Sequence, residues 1–255
     1  MRGGALLRAT VAAALLGLLS CASAYALRAE VGPVVVSATA DVRPRVLPPK
    51  GGPVRLTSVT RVWTKDGSTP PSLGKLRFLF DRNGSIRARG VPVCTVARLE
   101  GTTPAVARRR CRGALVGTGR VAALVELPGA APVRVSSPLS FFNGPRQGGR
   151  PTLIAHAFER LPDRETHLVP IEVERVKRGR YGYRVEVELP EIADGYGVAT
   201  LAKASLGRSG SVRSPSFGYI RARCAGGRLQ VYGTASFRNG DFFPATLAST
   251  CRRRR

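Results

Sequence analysis

From Val54 onward, apolar and polar residues alternate with a period of two. Leu76, Phe78 and Phe80 alternate with Arg77, Leu79 and Asp81, and Asn83-Gly84 follows at once. Ile86 and Ala88 then alternate with Arg87 and Arg89, so the pattern predicts a hairpin closed by Asn83-Gly84. Tyr183, Val185, Val187 and Leu189 share one face, with Arg184, Glu186 and Glu188 on the other. Ile220 and Ala222 alternate with Arg221 and Arg223, and Leu229 and Val231 with Gln230 and Tyr232. Strands with one dry and one wet face belong to antiparallel sheets.

Turn signals punctuate these runs at Asp66-Gly67, Asn143-Gly144, Lys177 to Gly179, Asp194-Gly195, Ala225 to Gly227 and Asn239-Gly240. The expected fold is all-β, an antiparallel β-sandwich with two local disulfides and one short helix. That helix has Thr103 as N-cap, Pro104 at its first position and Ala105 to Arg110 after it. The expected organisation is a leader over 1–26, a Pro-rich extended linker over 27–53, one sandwich domain over 54–251 and a basic tail over 252–255. Two small β units divided near 141–149 are the alternative. Each Phe-Phe pair, Phe141-Phe142 and Phe242-Phe243, should place one ring in the core and the other over a sheet edge or in an apolar binding patch. Ile86-Arg87-Ala88-Arg89 recurs as Ile220-Arg221-Ala222-Arg223, too short a match to define a repeat.

The first residues change the compartment. Arg2 and Arg8 flank an apolar run from Ala9 to Ser20, and Ala22-Ser23-Ala24 and Ala24-Tyr25-Ala26 fit small-x-small cleavage. An apolar run this short cannot span a bilayer, so it reads as an export leader. Leu18-Leu19-Ser20-Cys21 resembles a lipobox, which makes lipidation at Cys21 the alternative to ordinary cleavage. The remaining cysteines, Cys94, Cys111, Cys224 and Cys251, fall into two near pairs. In an exported chain these read as Cys94–Cys111 and Cys224–Cys251 bridges. Each would stabilise by about 3 kcal/mol by restricting the unfolded chain.

Charge adds a class of partner. Lys+Arg number 41 against 16 Asp+Glu, a net +25. Nearly all of the cations are Arg, as a GC-rich genome would produce, but the field attracts polyanions whatever its origin. Two clusters stand out: Arg108, Arg109, Arg110 and Arg112 around Cys111, and Arg252, Arg253, Arg254 and Arg255 at the C-terminus. The expected partner is an anionic cell-wall polymer or an anionic membrane surface, with no dedicated nucleic-acid role.

The search for chemistry yields little. No Gly-x-Ser-x-Gly marks a nucleophile turn. Gly117-Thr118-Gly119 lacks the third glycine and the helix of a phosphate cradle. Glu172/Glu174 and Glu186/Glu188 each put two acids on one strand face, which suits cross-strand pairing with arginines better than a glycosidase pair. Asp81-Arg82-Asn83-Gly84 lacks the later carboxylates of a calcium loop. Only His156, Glu159, Asp163, Glu165 and His167 combine metal-ligand types in one segment. Pro162 separates the two histidines, His156 and His167, onto different elements, so neither a catalytic set nor a metal nor a cofactor is expected.

The leader, the paired cysteines, the run Val62-Trp63-Thr64-Lys65-Asp66-Gly67 with Pro70-Pro71, and Phe142-Asn143-Gly144 together resemble a group of uncharacterised exported proteins of high-GC actinobacteria. The resemblance runs from about Pro53 to the C-terminus and implies an exported, β-rich protein. It implies no activity and no site residues. The expected function is that of an exported, non-enzymatic, envelope-associated protein that binds anionic wall polymers or lipid headgroups electrostatically. The alternative is a ligand-binding lipoprotein or a hydrolase using the His156–His167 segment.

Overall fold

The computed structural model describes residues 26–208 and 217–254. Residues 1–25 of the expected leader, Cys21 among them, and the terminal Arg255 lie outside the described residues, while Ala26, placed at the leader's end, opens the first strand. The strands are β1 (Ala26–Val31), β2 (Val34–Arg43), β3 (Val46–Leu47), β4 (Gly52–Pro53), β5 (Arg55–Thr64), β6 (Leu73–Asp81), β7 (Gly84–Ile86), β8 (Leu115–Val125) and β9 (Val133–Asn143). They continue as β10 (Thr152–Glu159), β11 (Glu165–Arg178), β12 (Tyr181–Glu188), β13 (Gly197–Leu206), β14 (Ile220–Ala222), β15 (Arg228–Phe237), β16 (Phe242–Thr250) and β17 (Arg252–Arg253). Two short helices, α1 (Val96–Leu99) and α2 (Pro104–Arg110), lie between β7 and β8.

The fold is all-β and antiparallel. One 12-stranded sheet runs in the order β1-β2-β5-β13-β8-β9-β10-β11-β12-β6-β15-β16. The layers on either side of the core are two halves of this one sheet, because it curls until its ends meet. β16 packs beside β1 and β2. Ser249 Oγ on β16 accepts a hydrogen bond from the Val42 amide at 3.1 Å and donates one to Asp41 Oδ1 at 3.1 Å. The seam also buries Val34, Val36, Phe237 and Phe243. Side chains thus close a near-complete barrel and cover both open edges.

The stretch 27–53, expected as an extended linker, instead supplies β1 and β2. β2 pairs with β5 over its whole length, from Val34↔Thr64 to Arg43↔Arg55. Pro33 precedes β2 and the other prolines of the stretch lie beyond Arg43, so they leave β2 intact. The alternative of two units near 141–149 also fails, because β9 and β10 flank that loop as neighbours in register, Leu153↔Asn143 to His156↔Ser140.

Asn83-Gly84 forms a turn but no hairpin. β6 pairs with β12 and β15, whereas β7 leaves to join β14. A two-residue hairpin of that kind needs positive φ at its central residues, and neither Asn83 nor Gly84 has one. The Asp81 carboxylate holds the turn instead. Its Oδ1 accepts from the Asn83 amide at 3.0 Å, and its Oδ2 from Arg180 Nε and the Gln230 amide, each at 3.2 Å. The redirected chain builds a small sheet, β4-β14-β7, in which Ile86 faces Ile220. The two Ile-Arg-Ala-Arg stretches therefore meet in space at one end of the barrel.

Both cysteine pairs form the expected bridges, Cys94–Cys111 and Cys224–Cys251. α2 begins at Pro104 after Thr103 as predicted, though the Thr103 side chain makes no cap bond. α1 was not foreseen. It packs Leu99 with Cys94, Ala107 and Cys111 over the outside of the sheet, against Phe142 and Ile154. This cap corrects the reading of Phe141-Phe142. Phe141 enters the barrel core and Phe142 the outer one, so both rings are buried. The second pair behaves as expected, with Phe243 buried and Phe242 exposed.

Candidate functional site

The interior of the barrel holds a large cavity. Inward positions follow directly from the period of two: Leu76, Phe78 and Phe80 on β6, Val169, Ile171 and Val173 on β11, and Tyr183, Val185 and Val187 on β12. Across the barrel, β8 and β13 present small residues at those positions, Ala123, Ala202 and Ala204, and Ala155 does so on β10 beside β11. An eight-stranded barrel has room for its own side chains or one small ligand, and wider ones enclose more space. Twelve strands, with alanines among the inward residues of several of them, leave a hollow core of about 660 Å³. This lies within the range of about 300–1,000 Å³ found for small-molecule sites.

The two ends differ. The β4-β14-β7 sheet lies over one end, where Ile86, Ile220 and Tyr219 line the cavity. Tyr219 is fully buried, and burial holds its phenol above the usual tyrosine range. At the other end the β10–β11 turn forms the rim. Arg160 and Leu161 line the cavity and are exposed, so it reaches the surface there.

The rim carries a polar cluster. Glu159 and Glu165 face each other across the β10–β11 hairpin, and His167 follows on the same face. His167 Nε2 donates to Glu159 Oε2 at 2.6 Å and lies 3.9 Å from Glu165 Oε2. One ligand-type atom from each of the three residues falls within 4.8 Å of the others. Of the segment singled out in the sequence, Asp163 is exposed in the turn. His156 stands apart from the cluster. It is fully buried in the outer core beneath the helices, where Nε2 donates to the Thr102 carbonyl at 2.9 Å. Burial holds its pKa below the usual histidine range. The residue pins the α1–α2 loop to the sheet.

The paired carboxylates of the sheet exterior behave as the strand pattern implies. Glu174 pairs with Arg184 at 2.5 Å, Glu186 with Arg77 at 2.9 Å, Glu188 with Lys75 at 2.7 Å and Glu172 with Arg150 at 3.4 Å. The two arginine clusters lie apart, one on the Cys94–Cys111 cap and one beside the Cys224–Cys251 core. Arg108 is held by the sheet, its Nε donating to Ser140 Oγ at 3.0 Å. Arg109, Arg110 and Arg112 are exposed. The tail is tied down as a strand: β17 pairs in parallel with β3, Arg252↔Val46 and Arg253↔Leu47. Its Arg252, Arg253 and Arg254 side chains face solvent. None of these six exposed arginines forms an ion pair among the described residues.

The cavity itself was missed in the sequence. Its signal was the abundance of Ala on inward strand positions beside an aromatic content of 6%. No helix among the described residues is long and apolar enough to cross a membrane. The two disulfides suit an oxidising, extracellular compartment. No protein-family model matches the chain, and no curated protein matches its sequence.

Proposed function

We propose that this protein is an exported, non-enzymatic binding protein that carries an apolar or amphipathic molecule inside its barrel. The observation that carries this reading is the hollow apolar interior of about 660 Å³, covered at one end and open at the other. Each methylene moved from water into such a space contributes about 0.8 kcal/mol. A chain of about ten methylenes would gain roughly 8 kcal/mol, less the entropy lost on binding. The leader-like N-terminus and the disulfides support export.

The test is direct. The purified chain is extracted with organic solvent and the extract is analysed by mass spectrometry. The stripped protein is then titrated with the fluorescent fatty acid cis-parinaric acid. A co-extracted apolar compound, or saturable uptake with one site per chain, is the expected result. An empty extract together with no uptake would overturn the reading.

A second element concerns location. Six exposed arginines that form no ion pair among the described residues support attraction to an anionic wall polymer or membrane surface. Each cation near an anionic surface adds about 1 kcal/mol, so either cluster alone steers rather than holds. Co-sedimentation with anionic vesicles should fall steeply as salt rises. Pelleting that is insensitive to salt would count against it.

A further inference from the structure

The rim of the barrel carries a group of side chains that neither ligand carriage nor folding explains. Register places Glu159 directly opposite Glu165, and like charges directly opposite in a ladder destabilise a hairpin. The pair sits at the mouth of an apolar cavity, with the Glu159 side chain only 8% exposed. Glu159 Oε2 accepts the hydrogen bond from His167, while Oε1 is buried and has no partner. A buried carboxylate oxygen without a donor is costly and is rarely left so without a use.

We propose that Glu159, Glu165 and His167 form a binding site for a divalent transition ion of the zinc class at the barrel mouth. One imidazole nitrogen and two carboxylates are a donor set suited to zinc, and three protein ligands leave a fourth position for water or another ligand. Donor atoms about 2 Å from zinc lie about 3.3 Å apart in a tetrahedron. The Nε2 separations of 2.6 Å to Glu159 and 3.9 Å to Glu165 bracket that value. Small side-chain rotations at the end of a hairpin reach it without moving the strands. The ion would also neutralise the opposed carboxylates and supply the partner that Oε1 lacks. The site stands on this ligand set alone and does not depend on what fills the cavity.

The test is isothermal titration calorimetry of the untagged, disulfide-bonded, metal-stripped chain with zinc chloride and no lipid present. One ion per chain is expected. His167→Ala and Glu159→Gln should each weaken binding at least about tenfold, since even residues behind the ligands cost that much. Asp163→Asn, in the same turn, should bind as the parent does. Cobalt substitution provides a second readout on the unaltered fold: a tetrahedral site gives an intense visible absorption, expected in the parent chain and reduced in Glu159→Gln. No saturable zinc binding by the parent chain, or parental affinity in a folded His167→Ala or Glu159→Gln protein, would overturn the proposal. Uptake of cis-parinaric acid in metal-free buffer reports on the cavity separately, so the two readings fail independently.

Discussion

Tyr219 Oη donates a hydrogen bond to Oδ1 of Asn143 at 3.3 Å, and both residues are buried. Asn143 Nδ2 in turn donates to the Val91 carbonyl at 3.1 Å, and the Asn143 carbonyl accepts from the Cys94 amide at 2.9 Å. One asparagine thus joins the covered end of the barrel to the start of the disulfide cap. Removing the phenol oxygen leaves Oδ1 buried without a donor. Tyr219→Phe should therefore destabilise by about 1–3 kcal/mol, read as a lower urea midpoint with an unchanged slope. A neutral result would mean that the junction does not contribute to stability.

Gly117 and Gly119 have a structural use in place of the phosphate role that their spacing failed to support. β8 lies against β13 with Gly119 opposite Ala204 and Gly117 opposite Leu206. A Cβ on Gly119 would run into the Lys203 carbonyl oxygen, and one on Gly117 would sit 2.8 Å from that of Ser205. These carbonyl oxygens are backbone and cannot rotate away, although Gly117 also faces the Leu206 side chain. Gly119→Ala should cost about 1–3 kcal/mol. Gly226→Ala, where a Cβ meets nothing within 4 Å, should stay within about 0.5 kcal/mol of the parent. Thermal melts of the two variants test this pair.

Ala155 points into the hollow from β10. Because the space in front of it is empty, a larger side chain there has room, unlike in a filled core. Ala155→Phe should fold normally and lose most of its capacity for cis-parinaric acid. Undiminished uptake by the folded variant would place the ligand elsewhere.

His156 makes stability depend on pH. Its pKa is held down by burial, so the unfolded chain binds a proton at a pH where the folded chain does not. Stability from this residue is fully present above the unfolded value of about 6.5 and falls as pH drops through and below it. Urea midpoints taken between pH 8 and pH 5 should decline. His156→Gln, which does not titrate, should flatten that part of the curve. An equally steep decline in the variant would assign the effect to other groups.

The legibility of the candidate site follows strand parity. Glu159, Glu165 and His167 were singled out in the sequence, but together with His156. On β10, Ala155, Ala157 and Glu159 share the inner face, and His156 falls on the outer one. Parity alone separates His156 from Glu159. It cannot reveal that Glu165 returns opposite Glu159, because that depends on the length and course of the 160–164 turn.

The sequence by itself determined what is local or pairwise by spacing. The alternation on β6, β11 and β12 specified which residues face the core, since side chains alternate on any extended chain. The same alternation placed Glu172, Glu174, Glu186 and Glu188 outside, where arginines and lysine meet them. Of the three pairings four cysteines allow, cysteine spacing favoured the one that forms. Tertiary structure alone decided that residues 27–53 join the sheet, that β7 leaves β6 for β14, and that β16 meets β1 and β2. These outcomes depend on how many strands accumulate and where the two free edges arrive, which no local pattern encodes. The hollow interior follows from them: twelve strands enclose more space than their inward side chains, many of them small, can fill.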